Sequence, residues 1–178
     1  MANVFETKRL YFREVIDDDF AALERIIGDP ENEANPADEK MVWRWIRWCQ
    51  SSYVEHGFGM WAVVLKESGE MIGIGGISMQ FIDDEWKPEV GYHLRKDYHH
   101  QGIGTEMAKG SRDYFFTHFD YPEVYSYMEE NNVASAKTAE ANNMTYLHRY
   151  TTKKGEICKV YRITRKEWEQ LSSPFSPR

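Results

Sequence analysis

The chain has 178 residues, 42% of them hydrophobic and 15% aromatic, enough for one sizeable core and too few for two ordinary domains. Its 29 acidic against 22 basic residues leave a net charge of −7, which argues against generic binding to nucleic acid or an anionic membrane surface. No basic segment leads into an apolar run at Met1, no stretch of about 18 apolar residues occurs, and Cys49 and Cys158 lack metal-ligand spacing, so a cytoplasmic protein with buried, reduced cysteines and no metal is expected.

Residues 9–15 alternate Leu10 and Phe12 with polar positions and predict a strand. Asp17, Asp18 and Asp19 offer N-caps to a helix carrying Phe20, Leu23 and Ile27, which Gly28 and Pro30 stop. A polar loop over 29–38, a candidate gate, precedes a helix over 39–56. That helix sets Val42, Trp45, Ile46, Cys49 and Tyr53 on one face and ends at Gly57, while Trp43 and Trp48 fall off the stripe, placed to pack under a loop or to line a substrate groove.

The period then changes. Residues 60–65 and 71–79 read as an antiparallel pair, with Gly73, Gly75 and Gly76 as close-packing glycines because no helix follows them. After a loop over 81–87, a strand over 89–94 runs into a glycine turn that opens a helix over 102–119, with Ile103, Met107, Ser111 and Tyr114 on its inner face. A strand over 124–128, a helix over 134–142, a hairpin of 146–150 with 157–163 and a short helix over 165–171 complete the pattern. One domain is expected over 1–171 with a flexible tail over 172–178, built as a mixed α/β sheet with helices on both faces and not doubly wound.

The strand-turn-helix around Gly102 carries the chemistry. Such a junction aims several unpaired N–H groups and the positive end of a helix dipole at one point, which suits phosphate. The amides of Gln101, Gly102, Ile103, Gly104 and Thr105 are the candidates, and the missing Cβ atoms of Gly102 and Gly104 would allow a pyrophosphate close. No lysine-serine pair follows, so this is no P-loop, and Met107 stands where a dinucleotide fingerprint needs its third glycine.

Five blocks together resemble the GNAT superfamily of N-acetyltransferases, in particular the ribosomal-protein-alanine acetyltransferase branch. They are Thr7-Lys8-Arg9-Leu10-Tyr11-Phe12-Arg13, the run 57–63, Glu89-Val90-Gly91-Tyr92-His93-Leu94, Gly102-Ile103-Gly104-Thr105-Glu106 and Asn132-Val133-Ala134-Ser135. The resemblance covers about residues 7–163 and implies a mostly antiparallel twisted sheet with acetyl-CoA as acyl donor. It implies that His99, His100 and the turn meet the pyrophosphate, that Tyr92 and Leu94 bind pantetheine through their main chain, and that Asn132, Ser135 and Lys137 contact the cofactor. Three departures stand out: His99 replaces the usual arginine or glutamine, Asn143 replaces a glycine after the 134–142 helix, and Ala139 stands where many members carry a tyrosine acid.

Acetyl transfer to an amine needs a base, a polarised thioester carbonyl and a partner for the leaving thiolate. Glu89 is the first candidate base and His93 the second, sharing one strand face if no bulge intervenes. Ser135 is the candidate acid, though Asn132 and Ser135 also read as an ordinary helix cap. The expected partners are acetyl-CoA and an amine, either a protein N-terminus or a small molecule, with a homodimer as the candidate assembly. The alternatives are a non-catalytic acyl-CoA sensor and a structural interaction protein.

Overall fold

The computed structural model describes residues 3–28 and 38–172. Residues 29–37 and 173–178, nearly all of the expected gate and tail, lie outside the described residues. Eight strands form one sheet in the order β1-β2-β3-β4-β5-β6-β8-β7. They are β1 (Phe5–Glu6), β2 (Leu10–Arg13), β3 (Met60–Leu65), β4 (Met71–Ile82), β5 (Glu85–Leu94), β6 (Glu123–Glu129), β7 (Thr145–Thr151) and β8 (Ile157–Thr164). All neighbours are antiparallel except β5 and β6.

Helices cover both faces, as the sequence suggests. On one, Leu10, Phe12, Trp61, Val63 and Val90 pack against Ile103, Met107 and Phe115 of α3 (Ile103–His118) and Ala136 of α4 (Val133–Ala141). On the other, Ala62, Val64 and Ile74 meet Leu23 and Ile26 of α1 (Phe20–Ile27) and Val42, Ile46 and Cys49 of α2 (Glu39–His56). Each such fully buried aliphatic side chain contributes about 1.5–3 kcal/mol. Helix α5 (Arg165–Ser172) closes the described chain. No helix among the described residues is long and apolar enough to cross a membrane.

Three expectations need correcting. Residues 81–87 are no loop, because β4 runs to Ile82, β5 starts at Glu85, and Asp83 and Asp84 make a two-residue turn at φ 54° and 61°. Two left-handed residues suit the strand twist, and aspartate tolerates that conformation, which the polar run concealed. Asp19 does not cap α1 with its side chain; the carboxylate accepts from the Arg13 guanidinium at 2.7 and 2.6 Å and from the Ile16 amide at 2.9 Å. A short strand, β1, also precedes the first expected one, and Phe5 stacks on Phe12 at 4.1 Å.

The central glycines are close-packing residues, as expected. A Cβ on Gly76 would lie 2.0 Å from the Gly59 carbonyl, and one on Gly73 would lie 2.6 Å from that of His93.

Candidate functional site

The site forms where β5 leaves the sheet. β5 pairs with β6 in register only at Glu89 and Tyr125, and the two strands part beyond that point. Arg95 N–H donates to the Ile72 carbonyl at 2.9 Å, and the β4–β5 register is unbroken. Antiparallel alternation therefore turns the main-chain groups of Val90, Tyr92 and Leu94 toward β6. The Val90 carbonyl meets the Ser126 hydroxyl at 3.5 Å. Tyr92 and Leu94 face the gap, so their N–H groups can pair with an extended ligand arm.

At the end of β5 the chain makes a helical turn over 96–98 and reaches Gly102 at φ 71°, a left-handed conformation that favours glycine. The first main-chain bond of α3 is Glu106 N to the Gly102 carbonyl at 3.1 Å. Among the described residues, no amide from His100 to Thr105 donates to another group of the chain. Five or more unpaired N–H groups at a helix start are what a pyrophosphate needs. Gly104 has a weaker steric reason to be glycine, since a Cβ there would sit in ordinary contact, 3.7 Å from the Tyr92 ring.

Arg9 and Glu106 brace this turn, a role the sequence blocks contained without revealing. Glu106 accepts from Thr7 Oγ1 at 2.7 Å, from the Arg9 amide at 2.7 Å and from Arg9 Nε at 2.6 Å, while Arg9 Nη1 donates to the Gln101 carbonyl at 2.9 Å. Burial opposes the charge on Glu106, yet these hydrogen bonds hold its pKa below the usual carboxylate value.

His99 lies beside the turn with Nε2 at 2.9 Å from the Leu94 carbonyl. A carbonyl only accepts, so Nε2 carries the proton, and the remaining Nδ1 donates to an anion only in the imidazolium form. Gln101 turns its side chain away, with Nε2 donating to the Asp97 carbonyl at 3.1 Å.

The start of α4 closes the far side. Asn132 Oδ1 accepts from the Ser135 amide at 3.0 Å, so the cap reading holds for the Asn132 side chain. The Ser135 hydroxyl and the Lys137 ammonium make no hydrogen bond among the described residues and line the opening. After α4, Asn143 takes φ 61°, the left-handed conformation read from its place in the sequence. Ala139 is buried in the core, so no phenol could stand there unopposed.

One cavity of about 710 Å3 gathers Tyr92, His93, Leu94, His99, His100, Gly102, Ile103, Gly104, Thr105, Asn132, Ser135 and Lys137, together with Ile26 of α1. The volume lies within the usual small-ligand range of about 300–1,000 Å3. Gln101 and Glu89 are not part of its wall.

Glu89, only 8% exposed, is sealed under the sheet's α2 side. Burial pushes its carboxyl up to about 8, against weaker opposing hydrogen bonds from the Ser78 hydroxyl, at 3.4 Å, and from the Tyr127 main chain. Gly91 makes room for it, since a Cβ there would stand 3.0 Å from Glu89 Oε2. The unbroken register keeps Glu89, Gly91 and His93 on one face. His93 opens into the cavity yet is crowded by protein, which lowers its pKa and favours the neutral ring. Trp45 meets His93 edge-on at 5.3 Å. Sequence reasoning missed Ser78, which lies inside the glycine-rich strand β4 with no recognisable spacing to Glu89.

Comparison with known proteins places the chain in a family. The family model described as an acetyltransferase (GNAT) domain matches residues 9–145. An uncharacterised protein, YkkB, of Bacillus subtilis (strain 168) is 28% identical over 109 residues, 61% of this chain, and the match spans 63% of that relative's own length. An uncharacterised N-acetyltransferase, p20, of Bacillus licheniformis is 26% identical over 166 residues, covering 87% of this chain and 91% of the relative. Among solved structures, an acetyltransferase from Agrobacterium tumefaciens str. C58 superimposes with a TM-score of 0.77 at 26% identity, covering 89% of this chain and 92% of that one. The ribosomal-protein-S5-alanine acetyltransferase from Vibrio fischeri shares the fold at a TM-score of 0.72 and 17% identity, covering 92% and 97%. The chain belongs to the acetyltransferase (GNAT) domain family.

Proposed function

We propose that this protein is a cytoplasmic, single-domain N-acetyltransferase that passes the acetyl group of acetyl-CoA directly to a primary amine. The observation that carries the reading is the row of undonated amides from His100 to Thr105 at the start of α3, opening on the same cavity as the Tyr92 and Leu94 main chain. The amides hold the diphosphate, the β5 edge pairs with pantetheine, and the thioester then lies in the gap between β5 and β6.

The amine nitrogen attacks the thioester carbonyl, forming the C–N bond as the C–S bond breaks. A main-chain N–H of the Tyr92 to Leu94 stretch meets the charge that develops on the carbonyl oxygen. Glu89, which does not reach the cavity wall, takes the amine proton through an intervening water, since a carboxylate raised to about 8 matches an α-amino group of similar pKa, and Ser78 connects it toward the α2 side. Ser135 offers its hydroxyl to the departing sulfur. A second reading makes His93 the base, favoured by its place on the cavity wall and its neutral ring.

Thiol release from acetyl-CoA with a panel of small amines and N-terminal peptides tests the proposal. Amine-dependent release is expected, whereas acetyl-CoA binding with no release across the panel would point to a sensor instead. No stabilisation by CoA at all would contradict both readings.

A further inference from the structure

A second hollow, of about 410 Å3, opens on the α2 side of the sheet. Met41, Arg44, Trp45 and Trp48, at helical spacing on one face of α2, form its wall, and Gln80 of β4 completes it. Trp45 and Trp48 meet edge-on at 5.2 Å and present apolar ring surface. Arg44 has no hydrogen bond or ion pair among the described residues. Its neighbour Arg47 differs, being paired with Asp17 at 2.7 Å and resting on the Trp43 ring. Among the described residues no carboxylate contributes to the wall.

Two connections tie this hollow to the candidate bases. Gln80 Nε2 donates to Ser78 Oγ at 3.1 Å, and Ser78 Oγ lies 3.4 Å from Glu89 Oε2. Trp45, a wall residue here, touches His93, a wall residue of the larger cavity. The wall of the hollow is thus linked to both candidate bases, to Glu89 through Gln80 and Ser78 and to His93 through Trp45.

We infer that this hollow is the acceptor site, and that the acceptor is a small primary amine with an apolar or aromatic body and one carboxylate. The inference rests on the acetyl-transfer reading above. The indole rings and Met41 cover the apolar body, and Arg44 pairs with the carboxylate. A free amino acid with an apolar side chain is the simplest such molecule. Polyamines and aminoglycosides are disfavoured, because their several positive charges would meet Arg44 with no carboxylate among the described wall residues in compensation.

The test compares thiol release with L-phenylalanine, L-phenylalaninamide, spermidine and a C-terminally amidated Phe-Ala-Ala peptide, in the wild type and in Arg44→Ala and Arg44→Glu. L-phenylalanine should exceed its amide by about tenfold in kcat/KM, chiefly through KM, since one charge-assisted hydrogen bond is worth about that factor. Arg44→Ala should abolish the preference and Arg44→Glu should reverse it, with acetyl-CoA stabilisation unchanged in both. Equal use of acid and amide by the wild type, a preference for spermidine or the peptide, or a preference unaltered by either variant would overturn the acceptor assignment alone. No release from any amine, with CoA still bound, would overturn the enzyme reading and this one with it.

Discussion

Arg9 Nε and Glu106 Oε2 meet at 2.6 Å, and through this pair the start of the sheet holds the glycine turn before α3 in place. Arg9 also reaches the Gln101 carbonyl, and Glu106 takes three donors from the 7–9 corner. Glu106→Ala leaves those donors unpaired and frees the turn. Affinity for acetyl-CoA should fall about tenfold while kcat changes less, as expected for about 1–3 kcal/mol of lost positioning. Calorimetric titration with CoA, alongside steady-state kinetics, separates the two parameters.

Gly102 occupies a left-handed conformation at the mouth of the turn. Gly102→Ala should cost roughly 1–2 kcal/mol of stability through the conformation alone. Gly102→Glu adds a carboxylate at the proposed phosphate seat and should abolish the rise in Tm expected from CoA in the wild type. Circular dichroism would verify that the fold survives in each variant.

The raised pKa of Glu89 makes two pH predictions. As catalytic base it must be ionised, so kcat/KM should climb with pH through about 8. Glu89→Gln should lower the rate most near neutral pH, where the amine is still protonated, and less as alkali removes that proton unaided, whereas a limb below 6.5 in the wild type would identify His93, whose pKa is lowered by desolvation.

Stability follows the same carboxyl with a definite sign. Between about pH 4.5 and 8 the native state keeps a proton that the unfolded chain has released. Unfolding free energy therefore falls as pH rises through that window, and Glu89→Gln should flatten the fall. Denaturant titrations at pH 5 and pH 8 measure the difference.

Ala139, where the resemblance would place a tyrosine acid, is packed in the core against α3. Ala139→Tyr should destabilise by about 1–3 kcal/mol through overpacking and should not raise turnover. Chemical denaturation and thiol-release assays check both halves.

Much of this architecture can be read from the residues. The 3.6-residue stripe of Val42, Ile46 and Cys49, the glycines at 73 and 76 and the turn at Gly102 each express a local rule that the packing obeys. What escapes reading depends on distant partners. Asp19 serves Arg13 instead of a helix amide, Glu106 reaches back 97 residues to Arg9, and Ser78 gains meaning only beside Glu89. Asp83 and Asp84 hide a hairpin because their charges resemble a loop, while the cross-strand contact of Phe81 with Trp86 at 5.6 Å fixes the register.

Amide chemical shifts followed by NMR during titration with acetyl-CoA test the central claim most directly. The amides of His100 to Thr105, with those of Tyr92 and Leu94, should show the largest changes and saturate together. Saturable binding that leaves these amides unmoved would contradict the proposed seat of the cofactor.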